Sequence, residues 1–213
     1  MSDKPYVLYG VKGWGSALSE TMLTLCGARF VFEDVEGFDA PGPARDKLAA
    51  INPLAQTPTL LLPDGEVMTE SAAITLLLAE RYPEAGLAPR IDDAALRPRF
   101  LRRLIWIVAN IYPMFTLGDY PKRWVDADAD KLVEATEGYK KWLWHDFESD
   151  IGYGLWVLGE RFSALDIYVA VMSHYRPRRD WFAAECPKLH AISKRVDIHP
   201  LLAPVLKRNF PDA

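Results

Sequence analysis

The hydrophobic pattern of this chain changes its period once and does not change back. Up to about residue 82, short runs of β-forming residues alternate with stretches of helical spacing, and beyond that point only helical spacing is found. Tyr6–Tyr9 (YVLY), Phe30–Val35 (FVFEDV), Thr59–Leu62 (TLLL) and Glu66–Thr69 (EVMT) predict strands, the last two joined across Pro63-Asp64-Gly65 as a hairpin. Ser16–Leu25 predicts a helix with Leu18, Met22 and Leu25 on one face and Gly27 as its stop. Ala44–Ile51 predicts a second, ended before Asn52-Pro53 because proline pushes the preceding residue out of the α region. Ser71–Tyr82 predicts a third, striped by Ile74, Leu77, Leu78 and Tyr82.

The order βαβαββα requires a parallel crossover followed by an antiparallel hairpin in the same sheet, which is a thioredoxin-like arrangement. Pro83 to Pro89 breaks the pattern. Pro98–Tyr112, Asp130–Phe147, Ser163–Tyr175, Pro187–Val196 and Pro200–Arg208 then repeat apolar residues at helical spacing. The fold class expected is α/β followed by all-α: a thioredoxin-like domain over residues 1–84, a linker over 85–91 and an all-helical domain over 92–213.

Composition narrows the classes. The chain has 213 residues, half of them hydrophobic and a quarter charged, which is globular usage. Its strongest apolar stretches, such as Leu104–Ile111, fall well short of the ~20 residues that span a bilayer. The N-terminus lacks the apolar core of a secretion signal, so a cytoplasmic location and no membrane partner are expected. A net charge of −4 argues against a nucleic-acid partner. Acidic residues outnumber basic ones up to Arg90, and the remainder is nearly balanced. Cys26 and Cys186 are far apart and the four histidines show no ligand spacing, so neither a disulfide scaffold nor a metal site is expected. Cys26, within an apolar run, reads as a small buried hydrophobe.

Two segments of the first domain carry chemistry. Thr57-Pro58 stands immediately before a strand, where proline cannot donate to the sheet. With a cis bond there, Thr57 turns its own N–H and C=O outward, to an extended peptide-like ligand. An ordinary trans proline opening an edge strand is the alternative. Glu70-Ser71 lies where the fourth strand meets the third helix. Ser71 is an N-cap type, the exposed amides of a helix start hold a carboxylate, and Glu70 holds an ammonium group. The pair therefore matches an α-amino-acid end, with simple capping beside a solvated glutamate as the alternative.

Asn52-Pro53-Leu54-Ala55-Gln56-Thr57-Pro58-Thr59-Leu60 followed by Glu70-Ser71-Ala72-Ala73-Ile74 resembles the cytosolic glutathione transferase family of bacterial type, with its Asn-Pro-x-Gly-x-Val-Pro-x-Leu and Glu-Ser-x-Ala-Ile patterns. Ala55 departs from the usual glycine and Thr57 from the usual valine. The resemblance implies a cis Pro58, a Thr57 backbone paired with the cysteinyl part of glutathione, and Glu70 and Ser71 on its γ-glutamyl end, with Gln56 beside them. Phe162-Ser163-Ala164-Leu165-Asp166-Ile167 reads as a capping box, Ser163 at the N-cap and Asp166 three residues on, flanked by a hydrophobic staple. The family carries the same device in its second domain.

The activity implied is detoxifying conjugation: glutathione as co-substrate, no metal, a small hydrophobic electrophile, and a homodimer. A free thiol is only a few per cent ionised near neutrality, so the enzyme must stabilise the thiolate. Family members place Tyr, Ser or Cys after the first strand. Here the stretch is Tyr9-Gly10-Val11-Lys12-Gly13-Trp14-Gly15-Ser16, and Gly15 falls where one bacterial class has its cysteine. Ser16, at the expected N-cap, is the candidate catalytic donor. The alternative donors are backbone amides, which Gly13 and Gly15 allow close to the sulfur, with Trp14 over it or lining the second substrate's pocket and Lys12 as an electrostatic aid; Tyr9 lies one place too early in the strand. Trp14, Trp106, Asn110, Tyr112, Phe115 and Tyr120 are the candidates for the electrophile pocket, expected between the domains. The arginine groups 99/102/103 and 176/178/179 read as solvated charge, or, for the first, as contacts to a partner subunit's acids. A glutathione-dependent reductase and a non-catalytic glutathione-binding or protein-interaction relative stay open beside the transferase.

Overall fold

In the computed structural model, which describes residues 4–211, Tyr6–Gly10 forms strand β1 with alternating burial, and Leu8 is fully enclosed. Helix α1 (Ser16–Leu25) follows and ends at Gly27 through a pair of Schellman bonds, Gly27 N–H to Thr24 O at 3.0 Å and Ala28 N–H to Leu23 O at 3.0 Å. Strand β2 (Phe30–Asp34) then lies parallel to β1, with Tyr6 opposite Phe30 and Gly10 opposite Asp34. Helix α2 (Pro43–Ala49) opens on a proline whose missing N–H no helix bond needs.

Strand β3 (Thr59–Leu61) runs antiparallel to β1, pairing Tyr9 with Thr59, and β4 (Val67–Met68) runs antiparallel to β3. Helix α3 (Ser71–Arg81) completes the unit. The sheet order is β2-β1-β3-β4, the mixed sheet that the βαβαββα reading demands. Helices α1 and α3 pack together, with the Thr75 hydroxyl 3.2 Å from the Met22 sulfur. Leu48 of α2 joins Val11, Val35, Phe38 and Ala55, with Tyr9 packed against them.

The remaining elements are helical: α4 (Leu96–Trp106), α5 (Tyr112–Asp119), α6 (Ala129–Ser149), α7 (Ala164–Met172), α8 (Arg179–Glu185), α9 (Pro187–Asp197) and α10 (Ala203–Asn209). Two differ from the sequence expectation. The helix expected to end at Tyr112 instead passes through a π turn, Ile107–Ile111, into α5. The Tyr112 N–H reaches five residues back to Ile107 O, and the wider turn accommodates Pro113, which has no N–H and crowds the carbonyl four residues before it. Helix α8, too short for a full periodic pattern, was not expected. Every residue of α7 is buried, and the capping box forms at its start: Ser163 Oγ accepts from Leu165 N–H at 3.3 Å, and Asp166 accepts from the Ser163 N–H at 2.7 Å. Asp166 also accepts from Val157 N–H at 2.8 Å, tying the preceding loop to the helix. Among the described residues no helix is long and apolar enough to cross a membrane.

The described residues fall into two compact units. The first runs to Ala88 and also takes the chain from Val196 onward, and the second covers Pro89–Arg195. Helix α10, which sequence adjacency groups with the helical half, packs on α1.

Candidate functional site

Strand register brings the chemical segments of the first unit to one end of its sheet. Parallel β1 and β2 both finish there, and antiparallel β3 begins there with Thr59 opposite Tyr9. Antiparallel β4 finishes there as well, with Met68 opposite Leu60. The loop from Val11 to Gly15, the turn from Asn52 to Pro58 and the start of α3 are therefore neighbours, although sequence separates them by tens of residues.

The Thr57–Pro58 bond is cis. The turn before it is fixed by side chains: Asn52 Nδ2 donates to Gln56 O at 3.2 Å and to Thr59 Oγ1 at 3.0 Å, Thr59 Oγ1 donates to Gln56 O at 2.8 Å, and Asn52 Oδ1 accepts from Leu54 N–H at 3.1 Å. The Gln56 carbonyl is thus held inward, while the N–H and C=O of Thr57 find no backbone partner among the described residues. Ala55, where the family pattern has glycine, takes a φ of 47°.

At the start of α3 the capping residue is Glu70, not Ser71 as the sequence suggested. Glu70 holds a φ of 62° and makes no capping bond, and Ser71 is the first helical residue. The first intrahelical bond is Ile74 N–H to Glu70 O at 2.9 Å, so the amides of the opening turn stay available. A side chain held in left-handed backbone without a local bond points to a role outside the helix. Glu70 is exposed and Ser71 half-buried.

The loop after β1 revises the reading of Ser16. Its residue accessibility is 0%, its hydroxyl donates to Val11 O at 2.9 Å and accepts from Val11 N–H at 3.0 Å, and Gly15 is the N-cap. The hydroxyl closes a ring inside the loop and has no proton left to offer a ligand. Gly10 makes room for it: a Cβ there would lie 2.3 Å from the Ser16 Cβ. Trp14 N–H, Ala17 N–H and Leu18 N–H bond to carbonyls of the same turn, whereas the amides of Gly15 and Ser16 find no acceptor among the described residues. Ser16 is enclosed, so the half-buried Gly15 amide, at the positive end of α1, is the donor this loop presents. Trp14 beside it is 39% exposed and packs edge-on against Phe38, centroids 5.5 Å apart.

Sequence reasoning missed the support of this loop. Gly13 N–H donates to Asn209 Oδ1 at 2.9 Å, and Asn209 Nδ2 donates to the buried carboxylate of Glu20 at 2.7 Å. Arg208 pairs with the other Glu20 oxygen. Nothing in local pattern marks α10 as a neighbour of α1, since a charged residue at the end of a helix reads as solvated.

Of the helical candidates, Trp106 is half-buried against Phe147 at 5.6 Å, and the Asn110 amide bonds back to Trp106 O at 2.9 Å across the π turn. The Tyr112 hydroxyl is enclosed and finds no bonding partner among the described residues, and burial raises its pKa well above the usual phenol range. Phe115 is a buried ring: Tyr112 and Tyr175 meet it edge-on, and the Lys140 ammonium lies 4.2 Å from its centre. Tyr120 is half-buried under the Arg123 guanidinium at 3.9 Å. The arginine groups find acids in their own chain, Arg102 and Arg103 at Asp150 and Arg176 at Asp119.

A thioredoxin-like unit with a cis-proline edge, unpartnered amides at the start of α1 and an acid at the start of α3 defines a protein of the glutathione-binding class. Comparison with known proteins bears this out. The family model for the glutathione S-transferase N-terminal domain matches residues 20–81. An uncharacterised GST-like protein of Escherichia coli K12 is 42% identical over 202 residues, 95% of this chain and 97% of its own. A solved glutathione transferase of Methylococcus capsulatus aligns with a TM-score of 0.79 at 26% identity, covering 95% of this chain and 97% of its own. A sphingomonad glutathione S-transferase solved with glutathione aligns with a TM-score of 0.78 at 25% identity, covering 94% and 97%. The chain belongs to the bacterial glutathione transferase family.

Proposed function

We propose that this protein is a glutathione transferase whose thiolate is stabilised by a backbone amide instead of a side chain. The observation that carries the reading is the unpartnered, half-buried Gly15 amide, at the same end of the sheet as the open Thr57 backbone. Glutathione's cysteinyl part pairs with Thr57 beside Gln56 and Pro58, and its γ-glutamyl end lies against Glu70 and Ser71. The sulfur is then offered to the α1 N-terminus, where fixed dipoles favour the anion without reorganising. The thiolate attacks the electrophile's carbon, forming the C–S bond as the leaving group departs or as charge moves to an electron-withdrawing substituent. Trp14 lines the electrophile's side, and Trp106, Asn110 and Tyr120 stay candidates for the same role. Assembly as a cytoplasmic homodimer belongs to the same proposal, and light scattering measures its stoichiometry.

A disulfide-reductase reading is disfavoured by the thiols present. Cys26 sits at the far end of α1, where burial, aided by Glu84, pushes its pKa up to about 12. Cys186 is equally inert, pushed by burial and then by Glu148 and Glu185 to about 12. Neither supplies the thiolate that mixed-disulfide exchange needs.

The test combines calorimetry with turnover. Glutathione is expected to bind and to be conjugated to 1-chloro-2,4-dinitrobenzene, with the bound thiol ionising below its free value, while reduction of a glutathione mixed disulfide stays at background. Binding with no conjugation of any electrophile supports the non-catalytic relative instead. Absence of binding at millimolar glutathione removes both readings.

A further inference from the structure

The loop that presents the Gly15 amide is tethered by a residue far from it in sequence. Asn209, 5% exposed, lies at the end of α10. Its Oδ1 accepts the Gly13 N–H at 2.9 Å, and its Nδ2 donates to Glu20 Oε2 at 2.7 Å and to Val205 O at 2.9 Å. An asparagine amide has one acceptor oxygen and two N–H donors, and every part of this one is engaged. The partners also fix its orientation, since a flipped amide would turn N–H groups toward the Gly13 N–H and its oxygen toward a carboxylate and a carbonyl. Glu20 is held in turn by Arg208, so α1 and α10 are clamped by a buried, bonded cluster. The packing at Gly13 is close: φ is +76°, and a Cβ would lie 3.0 Å from the Asn209 carbonyl oxygen.

We propose that Asn209 is a positioning residue for thiolate stabilisation, acting through Gly13 on the Gly15 amide two residues further on. A loop containing Gly13 and Gly15 has more intrinsic backbone freedom than the proline-bearing turn or the helix start beside it. Donors stabilise a developing anion in proportion to how well they are fixed beforehand. The Asn209 bond fixes this loop from outside, and the Ser16–Val11 ring fixes it from within. The inference rests on the reading that this amide meets the glutathione sulfur.

Three measurements on the full chain test it. In Asn209→Ala, hydrogen exchange of peptides spanning residues 10–16 is expected to quicken while exchange in β3 and α3 is unchanged. The bound glutathione thiol should ionise at higher pH, and kcat should fall about fivefold, the worth of one neutral hydrogen bond, with a smaller change in KM for glutathione. Asn209→Asp combined with Glu20→Gln keeps an acceptor for Gly13 and a bond to residue 20 but sets a carboxylate oxygen against the Val205 carbonyl, so it should restore the thiol's ionisation in part. Should Asn209→Ala fail to fold, Gly13→Ala displaces the same loop while leaving the Asn209–Glu20 bond, and the same two shifts are expected. Unchanged loop exchange in a folded variant overturns the tether whatever glutathione does. Faster exchange with an unmoved thiol pKa and kcat overturns its link to catalysis. A wild-type chain that does not bind glutathione overturns the underlying reading, and this shows before any variant is made.

Discussion

The Ser16 hydroxyl bonds twice to one residue, its N–H side and its carbonyl side both belonging to Val11. Replacing it with alanine leaves a buried Val11 N–H without its acceptor, which costs about 1–3 kcal/mol. Ser16→Ala is therefore expected to lower the urea midpoint while the bound glutathione thiol ionises at the wild-type pH. A raised thiol pKa at unchanged loop exchange would restore the hydroxyl as donor. The residue type was legible in the sequence, but its direction was not, because only the close approach of Gly10 turns the side chain inward. Ala55 makes a similar point. Left-handed backbone costs an L-residue ~1–2 kcal/mol, and a buried methyl returns about 0.8 kcal/mol. Here that methyl packs among Val11, Val35, Phe38 and Leu48, which offsets part of that cost. The departure was visible in the motif, and its compensation depended on residues distant in sequence.

Elements were most legible where they carry their own start and stop signals. Ser163 and Asp166 marked the start of α7, and Gly27 and Asn52-Pro53 marked the ends of α1 and α2, because each acts through bonds within a few residues. The Pro113 region was not legible, since a proline reads as a break and only the π turn lets the helix continue. At α7, burial pushes the Asp166 carboxyl up to about 7, while the Val157 and Ser163 donors pull it down. The sign follows from linkage. The unfolded chain loses this proton near pH 4 and the folded chain holds it until about 7, so the group's contribution is full below about 4 and fades as pH rises to 7. The largest slope one such group gives is about 1.4 kcal/mol per pH unit. Urea midpoints at pH 5 and 7.5 are expected to differ more in the wild type than in Asp166→Asn. Equal differences would mean that the carboxyl is ionised throughout.

At the scale of the molecule, the two periodic regimes gave the classes of the two halves, and motif order gave the family. The membership of the last residues was hidden, because sequence adjacency groups them with the helices they follow. In the structure α10 packs on α1, whose residues from Ser16 to Leu23 are all buried. A fragment ending at Ala88 keeps the strands and the cis-proline turn but loses α10 with Val205 and Leu206, both buried, and the partners of Glu20. Such a fragment is expected to unfold without a cooperative transition by circular dichroism and to bind no glutathione. A sharp transition with retained binding would show that the strands and first helices suffice.

The return of α10 to α1 also has a bearing on synthesis. A ribosome releases the first eighty-odd residues long before Asn209 is made, so the nascent first unit must wait, with one face of α1 uncovered and Glu20 without its α10 partners, until α10 has been made. The loop from Val11 to Gly15 therefore gains its outer tether only after about 120 further residues have been added, and nascent chains cut short of Asn209 should hold that loop loosely however complete their motifs look.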